Sequence, residues 1–304
     1  IPDVEINEGY YPMLYLWRRL NGSSGGPGIN RGGLGLDFAW APHGTDALLG
    51  TLENAMAAVP SRGMMGGYPG GTHFFNVVRG TGIQDAVAGG QRLPQTVEDL
   101  GGREETLINH VAGVPLAASD VFHQITGGGA GMGDPLLRPA ERVAGDVREG
   151  YVSGDQARAA YGVVCSSEGK VDVEATQRER ASIREARLGH APERSVADDA
   201  DGWLPALTLA GDVLCCAHCE QELGPTSGNW RDGAVERRSD LADRLADMGI
   251  RVKKRSAPAM ILYEWSCPGC GTLLETNLYP EDMAPLHDVR VGEATERPEG
   301  AQEI

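Results

Sequence analysis

Two C-x-x-C pairs, Cys216-Ala-His-Cys219 and Cys267-Pro-Gly-Cys270, constrain this chain more than any other feature. Each pair sets two sulfurs on one side of a tight bend. Two such bends facing each other supply four thiolates at about 2.3 Å from a Zn²⁺. Pro268 and the glycines at 269 and 271 suit the second bend, Pro by presetting φ and Gly by accepting φ > 0. Four protein ligands close the shell, so the expected ion holds shape rather than doing chemistry. Free thiols or a disulfide are the other readings, and a disulfide needs an oxidising compartment to which nothing in the chain points. Cys215 competes with Cys216 for one ligand place, and the two-residue gap favours Cys216. Strand-like residues 260–265 enter the second knuckle and 272–279 leave it, the pattern of a zinc-ribbon hairpin.

Glycine is the second constraint. It accounts for 43 of 304 residues, about twice the usual share of roughly 7%. It gathers in three places, 22–35, 63–71 and 127–133, between strand-like stretches at 10–20, 36–40, 72–79 and 120–126. Short strands divided by Gly and Pro predict an all-β unit, barrel or sandwich. Such segments also pack as polyproline-II pieces where other backbone satisfies their N–H groups. Helical spacing then appears over 139–150, a capping box opens at Ser153, and charged helices follow over 174–188 and 239–249. The expected fold is mainly β with α segments: a glycine-rich barrel- or sandwich-like unit over 1–136, a helical tail over 137–190, a linker over 191–203 and a zinc-ribbon domain over 204–304.

The net charge of −16 excludes a phosphate-reading, nucleic-acid-binding surface. No run of 18 apolar residues exists, so no membrane-spanning helix is expected. The polar opening Ile1-Pro2-Asp3 carries no signal-peptide pattern, and the expected compartment is the cytoplasm. No G-x-x-x-x-G-K-[ST] phosphate loop occurs. The glycine run 127–133 fits G-x-G-x-x-G only loosely and lacks a β-α-β setting, so a packing or turn role is expected for it.

Three motifs, in order, resemble the hydantoinase B family, the large subunits of ATP-dependent hydantoinases and 5-oxoprolinases. They are Ser24 to Gly35 (SGGPGINRGGLG), Gly66-Gly-Tyr-Pro-Gly70, and Gly133-Asp-Pro135 followed by Asp146-Val-Arg148 and Ala157 to Val163. The likeness covers about residues 5–190 and corresponds to the C-terminal third of those subunits. Residues 204–293, above all CPGCGTLLETNLY and Leu286-His287-Asp288, resemble the gamma subunit of acetone carboxylase. Together the two imply an ATP-dependent ketone carboxylase of the acetone and acetophenone carboxylase kind. In such a complex partner kinases activate the ketone enol and bicarbonate, and a β-keto acid results. The resemblance further implies kinase-like ATP-binding subunits as partners, a separate N-terminal hydantoinase B-like polypeptide, and ATP and any second metal held by those partners. An amide hydrolase of the hydantoinase or 5-oxoprolinase type fits the β half equally well, and a purely structural zinc subunit remains a third reading.

The ligand set expected for zinc is Cys216, Cys219, Cys267 and Cys270. Catalytic candidates are weaker. His73 and His123 lie on strand-like segments beside aromatics, where either a channel-facing role or a satisfied core position fits. Arg31, within Asn-Arg-Gly-Gly, suits two-point holding of an anion, or pairing with backbone carbonyls. His43, the His287-Asp288 pair and Cys165 complete the set, Cys165 as a buried and inert thiol.

Overall fold

The computed structural model describes residues 3–52, 58–107, 111–196, 205–254 and 258–287. Helix α1 (Val4–Tyr10), capped by the Asp3 carboxylate, leads into β1 (Met13–Asn21), β2 (Gly35–Pro42) and β3 (Ala47–Leu52). β4 (Phe74–Arg79), α2 (Ile83–Ala88), β5 (Arg103–Thr106), β6 (Val111–Ala117) and β7 (Val121–Ile125) complete the first half. Strands β1, β2, β7, β4 and β5 form one antiparallel sheet in that order, and β3 pairs with β6. The period-2 pattern sends alternate side chains to opposite faces. Phe38, Phe75, Val77 and Phe122 pack on one face with Val114 and Leu116 of β6. Trp17, Ala39, Val78 and Val121 pack on the other with Ile83 of α2 and Leu100. Of the barrel or sandwich expected, the closed barrel is corrected here: β1 and β5 are edges, and no pairing among the described residues closes the sheet. A sheet with a small core on each face satisfies the same hydrophobic alternation without closure.

The three glycine clusters converge beside this sheet, and their backbones hydrogen-bond to one another. Gly26 donates to Gly129, Tyr68 to Pro27, Gly131 to Tyr68, Gly129 to Gly33 and Gly133 to Met64, at 2.8–2.9 Å. This is the mutual satisfaction that extended Gly/Pro segments require. In the run 127–133 the N–H groups of Gly127, Gly129, Gly131, Met132 and Gly133 are given to protein acceptors, which supports a packing role over a phosphate cradle. At Gly131 an added Cβ would lie 2.1 Å from the Pro27 carbonyl oxygen, so only glycine fits.

Helices α3 (Ala140–Arg148), α4 (Gly154–Tyr161) and α5 (Val173–Leu188) follow, ending respectively near Gly150 and at left-handed Gly162 and Gly189. The Ser153 hydroxyl caps α4 by accepting from Gln156. Gln156 does not reach back to complete the box; its amide donates to the Ser23 carbonyl instead. The linker expected over 191–203 lies outside the described residues from 197 onward.

The last third holds β8 (Leu207–Ala210), β9 (Val213–Cys216) and β10 (Glu222–Pro225) in one sheet, ordered β10-β9-β8. A second sheet is formed by β11 (Val235–Asp240), β12 (Met260–Ser266) and β13 (Leu273–Pro280), with helix α6 (Leu241–Ala246) following β11. β12 and β13 pair from Met260↔Pro280 to Ser266↔Leu273, the ribbon hairpin expected around the second knuckle. One core joins the parts: Tyr68, Val143, Val152 and Tyr161 pack with Leu245, Met248, Ile250, Leu262 and Leu273, all but fully buried. At about 1.5–3 kcal/mol per buried large side chain, this cluster is a main source of cohesion.

Candidate metal centre

The two knuckles repeat one backbone device. Glu220 donates its N–H to the Cys216 carbonyl, and Gly271 donates to that of Cys267, both at 2.9 Å. Cys216 in turn donates to Gln221 and Cys267 to Thr272. Both closing residues are left-handed, Glu220 at φ 59° and Gly271 at φ 71°. The bends therefore present their sulfurs in the same way, and they face each other. One sulfur atom from each of Cys216, Cys219, Cys267 and Cys270 lies within 4.8 Å of all the others. The cross-knuckle separations are 3.9 Å for Cys216–Cys270 and 3.5 Å for Cys219–Cys267. Four sulfurs at 2.3 Å from one ion stand about 3.8 Å apart, so the donor set fits a tetrahedral Zn²⁺. Cys215 does not belong to this cluster, because strand alternation on β9 turns neighbouring side chains to opposite faces.

The surroundings favour a closed site. Cys216, Cys267 and Cys270 are fully buried, among Leu214, Leu223, Trp230, Tyr263, Trp265 and Leu274. Hydrogen bonds shared with Cys216, Cys267 and Thr272 hold the Cys270 thiol well below the ordinary range, against burial. The same sharing, with burial, pushes Cys216 far up. A divalent cation at this point would draw the shared protons off and hold the four sulfurs as thiolates.

Buried polar contacts bind the second knuckle to the glycine-rich half. Asp134, of the Gly-Asp-Pro motif, caps its own turn at Leu136, accepts from the Leu273 N–H at 2.9 Å and pairs in two places with Arg187 of α5. Arg187 also donates to the Gly271 carbonyl. Both side chains are buried, at 0% and 5% exposure. Burial alone would raise the Asp134 carboxyl, but the Arg187 charge and its hydrogen bonds outweigh it and hold the group below the usual carboxylate range. Tyr68, of the Gly-Gly-Tyr-Pro-Gly motif, donates to Glu264 on β12, and Arg244 of α6 braces both groups. At Gly66, with φ +87°, a Cβ would meet the Leu273 carbonyl oxygen at 2.0 Å. The seam thus reuses motifs that the sequence offered as family marks with no role attached. Their buried Asp and Tyr were the signal available.

The catalytic candidates lie elsewhere and are engaged locally. Arg31 donates to the Gly32 carbonyl at 2.7 Å, faces Asp146 at 3.4 Å and lies over the Tyr151 ring. His73 Nδ1 accepts from the Gly127 N–H at 3.1 Å, its ring stacks on Phe75, and burial pushes its pKa down. His123 on β7 shares Asp37 with the Trp17 indole, both at 2.9 Å, while its buried Nδ1 meets no partner among the described residues. Burial opposes ionisation of Asp37, but the bonds from His123, Trp17 and Arg19 outweigh it and hold the carboxyl low. No contact among the described residues joins any two of Arg31, His73 and His123. His43 is exposed and Cys165 half-buried, with burial raising the Cys165 thiol. His287 is half-buried, and Asp288 lies outside the described residues.

A cavity of about 510 Å³ opens along the seam, lined by Met64, Met65, Ala206, Trp230, Leu274 and Glu275 among others. Its size falls within the range of ligand pockets. The Glu275 carboxylate is already paired with Arg231, whose guanidinium lies 4.5 Å from the Trp265 ring centre.

Comparison with known proteins places two likenesses on these two halves. Residues 1–135 match the hydantoinase B/oxoprolinase family, and residues 210–295 match the acetone carboxylase gamma subunit family. The chain is 31% identical over 212 residues to the acetone carboxylase alpha subunit of Xanthobacter autotrophicus, covering 61% of this chain and 26% of that protein. It is 33% identical over 188 residues to the caprolactamase subunit beta of Pseudomonas jessenii, covering 59% and 28%. It is 27% identical over 197 residues to the acetophenone carboxylase delta subunit of Aromatoleum aromaticum, covering 61% and 29%. A nucleotide-free acetone carboxylase structure superposes with a TM-score of 0.51 at 28% identity, over 62% of this chain and 27% of that one. The chain therefore spans little more than a quarter of each relative. The hydantoinase B match stops at residue 135, short of the 190 to which the motifs were extended. Among the described residues no helix is long and apolar enough to cross a membrane.

Proposed function

We propose that this chain is one subunit of a multi-subunit, ATP-dependent ketone carboxylase that makes a β-keto acid from a ketone and bicarbonate. In that assembly it is scaffold, wall of a shared cavity and zinc-stabilised interface. The observation that carries the reading is the union, in one chain and across one buried seam, of a hydantoinase B-like half and a gamma-like half with four convergent sulfurs. Relatives named as acetone and acetophenone carboxylase subunits support it. Cys216, Cys219, Cys267 and Cys270 hold a structural Zn²⁺, which supplies rigidity and no open coordination place. ATP is bound by kinase-like partner subunits, and a separate polypeptide provides the N-terminal part of the hydantoinase B-like unit. The present half corresponds to that unit's C-terminal part. Residues 1–136, 137–190 and 204–304 act as β unit, helical tail and ribbon domain, in the cytoplasm. Arg31, His73 and His123 remain catalytic candidates of the hydantoinase B-like half, with no chemical step assigned to them.

The test is incubation of the purified complex with ATP, labelled bicarbonate and small ketones. Label fixed into a β-keto acid only when ATP and ketone are both present supports the reading. A second reading has one specific observation behind it, the likeness to a caprolactamase subunit. ATP-dependent opening of a lactam without bicarbonate, and no fixation of label, would establish that reading and reject the first.

A further inference from the structure

A second, smaller cleft of about 140 Å³ lies where the glycine-rich half meets the segment after α6. Asn21, Ser23, Thr72, Phe74, Thr126 and Arg251 line it, with no aspartate or glutamate among the lining residues. That is unusual company in a chain of net charge −16. Its hydroxyl groups are committed in one direction. Ser23 Oγ accepts from the Ser153 N–H at 3.0 Å, Thr72 Oγ1 from Lys253 at 2.8 Å and Thr126 Oγ1 from Leu36 at 2.7 Å. Each oxygen has a lone pair occupied by backbone and keeps its own hydrogen to donate. Ser24 is the contrast: it accepts from Gly35 and donates to the Asn21 carbonyl, and so is closed. The Arg251 guanidinium lies 4.0 Å from the Phe74 ring centre. Stacking engages its flat face and leaves its N–H edge to bind. No ion pair among the described residues engages it.

Groups able to donate line this cleft, and none of its lining residues is a carboxylate. Size decides the class, since pockets for drug-sized molecules run to about 300–1,000 Å³ and this one suits an ion of a few heavy atoms. We infer that the cleft binds a small oxyanion, held by Arg251 and the hydroxyls of Ser23, Thr72 and Thr126. Bicarbonate, phosphate and a short carboxylate share that chemistry. Ser23, Thr72 and Thr126 belong to the glycine-rich half and Arg251 to the ribbon half, so the bound ion ties the two together. It stabilises the folded chain by an amount that grows with the logarithm of the anion concentration above Kd. The inference does not rest on the carboxylase reading and survives if that reading fails.

The test is calorimetric titration of the full zinc-loaded chain with bicarbonate, phosphate and acetate, against chloride at matched ionic strength. Saturable binding of at least one oxyanion is expected. Arg251→Gln should weaken it about tenfold or more, as loss of a charge-assisted contact implies, with zinc content and anion-free unfolding temperature unchanged. Ser23→Gly is the second variant. Ser23 sits at φ +60°, so glycine relieves strain while removing one hydroxyl, and binding should weaken in a chain that still folds. The tightest of the three anions names the source: co-substrate, nucleotide-derived phosphate or carboxylate product. Absence of saturable binding to the wild-type chain, or equal affinity in both variants, overturns the inference.

Discussion

The glycine-rich half and the sulfur-bearing half solve one problem by opposite means. Each must hold irregular backbone in place without the ladders of a long sheet or helix. The glycine clusters do it by approach: side chains are deleted until carbonyls and N–H groups meet directly. The knuckles do it by cross-linking: four side chains are drawn to one point, and the backbone follows. The first device is spread over many positions and depends on each being empty. The second is concentrated in four sulfurs and depends on an ion. The halves should therefore fail differently.

Removal of the metal should have the largest effect. Structural zinc contributes on the order of 10–16 kcal/mol in small sites. A strong chelator, or Cys267→Ser, should unfold the ribbon half. Trp230 and Trp265, each 1% exposed and packed with the cysteines, should shift to solvent-like fluorescence. The sheet β1-β2-β7-β4-β5 should keep its far-UV signal. Loss of both signals in a single transition would break the comparison by showing that the halves fold only as one.

Disruption of the seam comes next. Asp134→Ala leaves Arg187 charged and buried without its partner, a loss of about 3–5 kcal/mol. Asp134→Asn together with Arg187→Met should lose less than the single changes sum to, measured by denaturant unfolding of the zinc-loaded chain. Acid sharpens the point. The folded pKa of Asp134 is depressed, so its contribution is complete above the unfolded value of about 3.9 and is lost as pH falls through the lower folded value. The Asn variant should lack that part of the acid limb. An unchanged limb would remove Asp134 from the seam's energetics.

Gly131→Ala tests the glycine device itself. A Cβ placed 2.1 Å from the Pro27 carbonyl forces two backbones apart, and about 3 kcal/mol is expected, at the upper end of ordinary overpacking. Zinc affinity should hold. A neutral Gly131→Ala, read from the unfolding midpoint, would mean that the clusters are loosely packed.

How far each device could be read from sequence follows from its locality. The convergence of the Cys216, Cys219, Cys267 and Cys270 sulfurs was legible because the placing of two sulfurs on a bend is fixed within four residues. The strands β1, β2, β4 and β7 and the helices α3 to α6 were legible for the same reason, their periodicity and caps being local. Open or closed was not legible, because pairing of β7 between β2 and β4 is decided by contacts far apart in the chain. Asp134 and Tyr68 stood inside quoted motifs, yet their partners Leu273, Arg187 and Glu264 lie 53 to 196 residues away. The 140 Å³ cleft was invisible for the same reason, since each of its hydroxyls reads as an ordinary loop or strand residue until the fold brings Arg251 beside them.

The smallest effect separates the two knuckles from each other. Both close on a left-handed residue, but the first uses Glu220 and the second Gly271. A left-handed side chain costs roughly 1–2 kcal/mol, and glycine returns part of that gain through the freedom it adds to the unfolded chain, about 0.5–1 kcal/mol. Glu220→Gly should therefore stabilise the zinc-loaded protein by less than about 1 kcal/mol. Gly271→Ala should do the reverse and somewhat more, because its Cβ also comes to 3.0 Å from that of Arg184. The double variant, with glycine moved from one knuckle to the other, should fall slightly below the wild type in denaturant midpoint. If Glu220→Gly destabilises instead, the Glu220 side chain has a role at the first knuckle that the backbone geometry does not contain, and the two bends are not equivalent.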